Sequence, residues 1–235
     1  MASRLGDRVQ YGARVVGVQQ SDAGVVVHAD RHGRPLRFTG DRAICALPAT
    51  IVRSVDFEPA LPAAQRRAVH SMPYLDTTRT YVQVHRALWF DEGVSGGAVT
   101  DLPVGSILRQ PAADPGAADR RAILESYVSG PEARLLGTLS DDEVVDRTLR
   151  GLEEVHPGIG EQVEGAVVQA WSRDPYALGC VSWPGPGDVT RYLRHLQQPH
   201  GRVHFAGEHT SILRSTMEGA LRSGIRAAGE VGRGG

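Results

Sequence analysis

The stretch from Arg202 to Val231, RVHFAGEHTSILRSTMEGALRSGIRAAGEV, constrains the fold more than any other part of the chain. It reads strand, loop, helix. Arg202 to Ala206 is a short, mostly apolar run of the kind that suits a buried strand. Gly207 lets the backbone turn or approach another group closely. Ser215 and Glu218 read as an S-x-x-E capping box that opens the helix. Gly219, Ala220, Ser223, Gly224, Ala227 and Ala228 then set small residues largely along one face, where a backbone or a ligand can come close. A helix that starts just past the carboxyl end of a strand aims its N–H groups and positive dipole end at whatever binds there. The plainer alternative is a tightly packed seam with no ligand.

Upstream, residues 8–47 read as a β-meander. RVQYGARVVGV and VVVHA are strands on either side of an SDAG turn, and DRHGRP is a second turn. PLRFTGDRAICALP supplies two more short strands before a short helix, ATIVRSV. Residues 59–72 predict a helix starting near Pro62. LDTTRTYVQVHRALWF is a long alternating strand with Thr78, Thr80, Val82 and Val84 on one face and Arg79, Tyr81, Gln83 and His85 on the other. Such a polar face suits the wall of a substrate cavity or a half-solvated sheet. Residues 93–130 carry two or three strands with a surface loop, PAADPGAADR, among them. Ser140 and Glu143 form a second capping box, opening a helix over 141–155. EGAVVQAWS is a strand, and DPYALGCVSWPGPGDVTRYL is irregular, rich in Pro and Gly.

Composition narrows the functional classes. The 235 residues carry a formal charge of −1 and no basic stripe, which argues against nucleic acid as a partner. No apolar run approaches the roughly 20 residues needed to span a bilayer, and MASRLGDRVQYG lacks the apolar segment expected of a secretory signal. Two distant cysteines, Cys45 and Cys180, suit a reducing cytoplasm. Every basic residue is Arg, which points to a GC-rich bacterial genome. Neither a metal-ligand spacing nor a G-x-S-x-G turn is present.

FAGEHTS followed by STMEGALRSGIRAA resembles the C-terminal flavin-binding segment of the flavin-dependent amine oxidases, the group of monoamine oxidases and L-amino acid oxidases. That resemblance implies an α+β fold in which residues 1–66 and 176–235 are pieces of one discontinuous FAD-binding domain, with residues 67–175 as part of an inserted substrate domain. ICALP then resembles the strand that returns from the meander to the main sheet. The implied activity is oxidation of the C–N bond of an amine or L-amino acid to an imine, with O2 reduced to H2O2. An amino acid is favoured, because Val181 and Thr216 stand where monoamine oxidases place two cage aromatics. A dehydrogenase or desaturase of the same superfamily and a non-catalytic partner subunit are the alternatives.

The resemblance also implies roles for individual residues. Val15 stands where the family holds the adenine ring through a valine backbone. Gly207, Glu208, Ser215, Thr216, Met217 and Ala220 belong to the flavin segment: Glu208 for the ribityl or pyrophosphate region, Ser215 to Met217 for the pyrimidine end, with the Met217 N–H as the best donor. Cys180 falls where monoamine oxidases bond the flavin, although covalent attachment is the less favoured reading. Arg79 aligns with a family lysine that holds a water near the flavin. It is the candidate catalytic residue, for a substrate carboxylate or a water, with a structural ion pair as the alternative. The G-x-G-x-x-G turn that grips the pyrophosphate is absent from this sequence. A truncated frame, a subunit partnered by a separate chain carrying that turn, and a stand-alone remnant are the three explanations. Assembly as a homo-oligomer stays open.

Overall fold

A computed structural model describes residues 2–91, 93–110 and 121–233; the PAADPGAADR segment lies outside the described residues. The chain divides into two compact units, Met1–Tyr74 with Val181–Gly235, and Leu75–Cys180.

The discontinuous unit opens with a short helix α1 (Ala2–Leu5) and a meander of β1 (Arg14–Ser21), β2 (Gly24–Arg31) and β3 (Arg34–Gly40). The β2–β3 hairpin turns on His32 and Gly33, both with positive φ (53° and 79°), as a two-residue hairpin turn requires. β4 (Ala43–Cys45), α2 (Ala49–Val52), β5 (Asp56–Glu58) and α3 (Ala63–Ser71) follow. β5 returns to run parallel with β1, giving the order β3-β2-β1-β5. Arg53 closes the end of α3 by donating to the carbonyls of Val69 and Met72 at 3.1 and 2.5 Å.

The inserted unit is an antiparallel sheet covered by helices. A two-residue strand, β6 (Tyr74–Leu75), leads into β7 (Thr77–Val84), β8 (Ala98–Val99), β9 (Ser106–Arg109) and β10 (Ala122–Ser129). Then come α4 (Pro131–Leu136), α5 (Asp141–Val155) and β11 (Val163–Ala170), and the sheet order is β11-β7-β10-β9-β8. Thr78, Thr80, Val82 and Val84 of β7 are buried, and Thr78 and Thr80 hydrogen-bond to Ala133 of α4 and Thr148 of α5. Arg79, Tyr81 and Gln83 take the opposite face, as the alternation predicts. One continuous core of Val82, Val84, Trp89, Val104, Ile107, Leu124, Leu152 and Ile159 fills the space between sheet and helix. The Ser140–Glu143 capping box is formed in both directions, with N–O distances of 3.3 and 2.8 Å.

The chain then returns through β12 (Val181–Ser182), α6 (Asp188–Gln197), β13 (Val203–Phe205) and α7 (Met217–Arg233). α6 lies in the stretch expected to be irregular. Gly187 in the left-handed region starts it, and the Asp188 carboxylate accepts from the Gly185 N–H at 2.9 Å. β13 pairs in parallel with β4, Val203 opposite Ala43 and Phe205 opposite Cys45. Two modest apolar clusters support this unit: Val18, Val25, Val55, Val203 and Phe205, and Ala49, Val52, Ala68, Val69, Met72 and Leu196.

Candidate functional site

The loop between β13 and α7 is built around the Glu208 carboxylate. It accepts from the Ser182 N–H at 2.8 Å, the Ser182 hydroxyl at 2.7 Å and the Ser215 N–H at 2.8 Å. Ser215 in turn donates from Oγ to the Ser182 carbonyl at 3.0 Å. These bonds hold Ser215 at φ 61°, a conformation a side-chain-bearing residue rarely adopts.

The helix start differs from the expected one for this reason. With Ser215 turned toward Glu208, the cap passes to Thr216, whose Oγ1 accepts from the Gly219 N–H at 3.0 Å and donates to the Leu213 carbonyl at 2.6 Å. Glu218 pairs with Arg222 one turn on rather than closing a box. Along α7 only Gly219, Ser223 and Ala227 are buried; Ala220 and Ala228 are exposed, so the close-packed seam is one residue wide. Gly219 is obligatory there, because a Cβ would lie 1.9 Å from the Leu213 carbonyl oxygen. Ser223 pins the helix to the loop by accepting from the Gly207 N–H at 2.8 Å. Gly207 itself has φ 126°, and a Cβ there would meet the His209 ring at 2.5 Å.

A second network fixes the strand beneath the loop. Arg226 donates to the Phe205 carbonyl at 2.6 Å, to the Thr210 hydroxyl at 3.2 Å and to Glu230 at 2.6 Å, and His204 Nδ1 lies 3.0 Å from Glu230. Burial pushes Glu230 up, yet the bonds from His204 and Arg226 outweigh it and hold the carboxyl below its usual range. His209 is buried and its pKa is pushed down to about 4 by loss of solvent, with only partial relief from Glu208. It is therefore a neutral imidazole at pH 7.

The fold thus brings Gly207, Glu208, Ser215, Thr216 and Met217 into one loop–helix junction. Ser182, Arg226 and His209 join them there and escaped the sequence reading. The Arg226–Glu230 spacing of four was the available signal; Ser182 had none. The first-turn N–H groups of α7, at Met217 and Glu218, have no partner within the helix. Such a donor set at a positive dipole end fits an electron-rich, anionic edge of a cofactor. Val15 lies apart on β1, packed among Val18, Val25 and Val27.

Arg79 and Cys180 belong to the inserted unit. Arg79 forms an ion pair with Glu125 at 3.0 Å and stacks 4.7 Å above the Tyr127 ring. Partial burial opposes its charge, but the Tyr81 hydroxyl and Glu125 prevail and raise its pKa further. Glu125 is 1% exposed and also takes a hydrogen bond from Gln110. Cys180 is a free thiol whose N–H donates to the Leu75 carbonyl at 2.9 Å. Among the described residues no group of three or more His, Cys, Asp or Glu could hold a metal, and no helix is long and apolar enough to cross a membrane.

The chain belongs to the flavin containing amine oxidoreductase family, which it matches over residues 1–232. It is 32% identical over 237 residues to YobN of Bacillus subtilis (strain 168), covering 98% of this chain and 49% of that protein. It is 31% identical to an L-amino-acid oxidase of Siganus canaliculatus, over 96% of this chain and 44% of that one. The chain therefore spans about half the length of the curated relatives it matches. In fold it is similar to a putrescine oxidase triple mutant, with a TM-score of 0.85 at 24% identity over 98% of this chain and 51% of that one. Cyclohexylamine oxidase from Brevibacterium oxydans IH-35A gives 0.78 at 23% identity over 92% and 47%.

Proposed function

We propose that this chain forms the C-terminal part of an FAD-dependent oxidase acting on the C–N bond of an L-amino acid or amine, with imine and H2O2 as products. The observation that carries the reading is the junction itself: Glu208 locks Ser182 and Ser215 so that α7 starts at a fixed point, with the Met217 and Glu218 N–H groups left without a partner inside the helix. A flavin bound there supplies the two-electron acceptor between substrate and O2. The chain's own part is to orient and stabilise. The Met217 N–H would donate to the negative pyrimidine end of the ring, Ser215 and Thr216 would fix the turn, and Gly207 and Ala220 would keep the approach clear. Glu208 acts as the keystone of that loop more than as a direct ligand, since three donors already occupy it. Val15 would hold the adenine through its backbone.

On the inserted unit, the β7 face with Arg79, Tyr81 and Tyr127 is the substrate wall. Arg79 stays charged at any working pH and, anchored by Glu125, offers its remaining N–H groups to a substrate carboxylate or a water. Relatives named as L-amino-acid oxidases favour the amino acid over a simple amine. Residues 1–66 and 176–235 carry the FAD-binding role and residues 67–175 the substrate role. FAD is held without a bond to Cys180, in a bacterial cytoplasmic protein whose two thiols stay reduced. The test is peroxide release. We expect the 235-residue chain alone to purify colourless and release none. Joined to the portion of YobN that it does not match, it should bind FAD and release peroxide from L-amino acids. A yellow isolated chain turning over amino acids by itself would overturn the reading. So would a joined, FAD-loaded protein inert toward every amino acid and amine.

A further inference from the structure

At the centre of the open face of the five-stranded sheet, two opposite charges are unequally placed. Tyr127 stands directly opposite Arg79, and Glu125 directly opposite Tyr81, so all four side chains project from one face. Their outer neighbours are uncharged: Gln169 and Ser106 flank the Arg79–Tyr127 row, Val167 and Leu108 the Tyr81–Glu125 row. Glu125 is the diagonal neighbour of Arg79, with Oε1 3.0 Å from Nη1. The arginine side chain keeps 32% of its surface open and the glutamate 1%. The pair therefore shows its cation outward and holds its anion behind.

A purely structural ion pair would be built otherwise. Arginine and a carboxylate bind best as a fork, through two parallel N–H···O bonds. Here Arg79 Nε is buried without a hydrogen-bond partner, and Glu125 Oε1, though close to Nη1, meets no donor in hydrogen-bonding alignment. Glu125 Oε2 accepts from Gln110, and the guanidinium lies over the Tyr127 ring. Buried polar atoms left unsatisfied call for a reason, and an apolar residue of similar size is often no less stable in such a place. What Glu125 supplies is charge. An arginine alone on an open wall holds any carboxylate tightly, and binding that is equally strong before and during reaction lowers KM without raising kcat. A carboxylate behind the guanidinium weakens that hold by repulsion and leaves N–H geometry to choose the ligand.

We infer that Glu125 is the positioning residue that sets specificity on the substrate wall proposed above, a reading on which this assignment rests. It fixes Arg79 over Tyr127 and cancels its charge. A substrate carboxylate is then accepted by the outward N–H groups of Arg79, and anions are not gathered in general.

The binding test uses the 235-residue chain and needs no flavin. Propionate, a carboxylate without an amine, is titrated at neutral pH and constant ionic strength against the Arg79 Nε–H resonance, identified by its loss in Arg79→Lys. Propionate should move that resonance weakly in the parent. In Glu125→Gln, which keeps the size and removes the repelling charge, about tenfold less propionate should suffice. Glu125→Asp keeps the charge and should stay near the parent. Glu125→Met, neutral and of like length, replaces the amide variant if that one does not fold. Propylammonium should move the resonance in none of them. In the protein joined to the YobN portion, Glu125→Gln should lower the KM of an L-amino acid about tenfold relative to that of the corresponding amine, with no rise in kcat. Equal or weaker propionate affinity in the neutral variant overturns the inference, as does a resonance that propionate never moves or that propylammonium moves equally. A KM change shared by amino acid and amine leaves Glu125 only a structural role and overturns it too. An inert joined protein fails the oxidase reading alone, and the titration still decides the role of Glu125.

Discussion

The two units are held together by different means. The inserted unit relies on one large core, in which Val82, Val84, Trp89, Leu124, Leu152 and Ile159 are fully buried, with a smaller cluster of Val128, Ala133, Leu136 and Val144 under α4 and α5. The discontinuous unit splits its apolar residues between two smaller clusters and ties its loops with side chains that bond backbone: Glu208, Arg226, Arg53 and Arg202. A large core tolerates change at its surface and yields gradually to cavities. A unit tied at points of fixed geometry fails at single atoms.

The sharpest way to break this contrast is Gly219→Val. A branched side chain where a Cβ already lies 1.9 Å from a carbonyl should cost about 4 kcal/mol or more and unfold the discontinuous unit alone. Limited proteolysis should then leave a resistant fragment near residues 75–180; loss of both units together would void the distinction. Leu124→Ala cuts a cavity in the inserted unit. It should cost about 2–5 kcal/mol in urea unfolding while leaving hydrogen exchange around Glu208 unchanged.

Acid should act on the discontinuous unit through His209. Its folded pKa is depressed to about 4, so below its unfolded value of about 6.5 the unfolded chain binds the extra proton. Stability is then full above pH 6.5 and falls as pH drops toward 4, by on the order of 3 kcal/mol. His209→Gln should flatten that window in thermal melts, whereas an unchanged slope would assign the acid response elsewhere. The smallest effect is Ser140→Ala, which removes the α5 cap and should cost the inserted unit about 1 kcal/mol.

Where local chemistry decides structure, the sequence was readable. The His32–Gly33 turn, the faces of β7 and the Ser140–Glu143 box depend on neighbours within a few residues, and each forms as its pattern predicts. The Ser215–Glu218 box has the same pattern and does not form. Its serine is claimed by Glu208 and Ser182, seven and 33 residues away, and no local motif registers such a competitor. α6 was hidden for a related reason: four Pro and Gly residues precede it, and its interior is dominated by polar side chains around the single buried Leu196. The junction at residues 207–217 was legible because its residues are adjacent in the chain. Arg226 and Ser182 reach it only through the fold.

The short contact between the Cys180 N–H and the Leu75 carbonyl has a consequence for assembly. The inserted unit begins and ends at that pair. Once it folds, the two passages of chain that leave it start side by side, although about 106 residues separate them in sequence. Closing a loop of that length in a disordered chain costs about 4 kcal/mol of entropy. A folded insert has already met it. As the chain leaves the ribosome, the middle can therefore fold first and act as a clamp that hands residues 181–233 directly to residues 2–74.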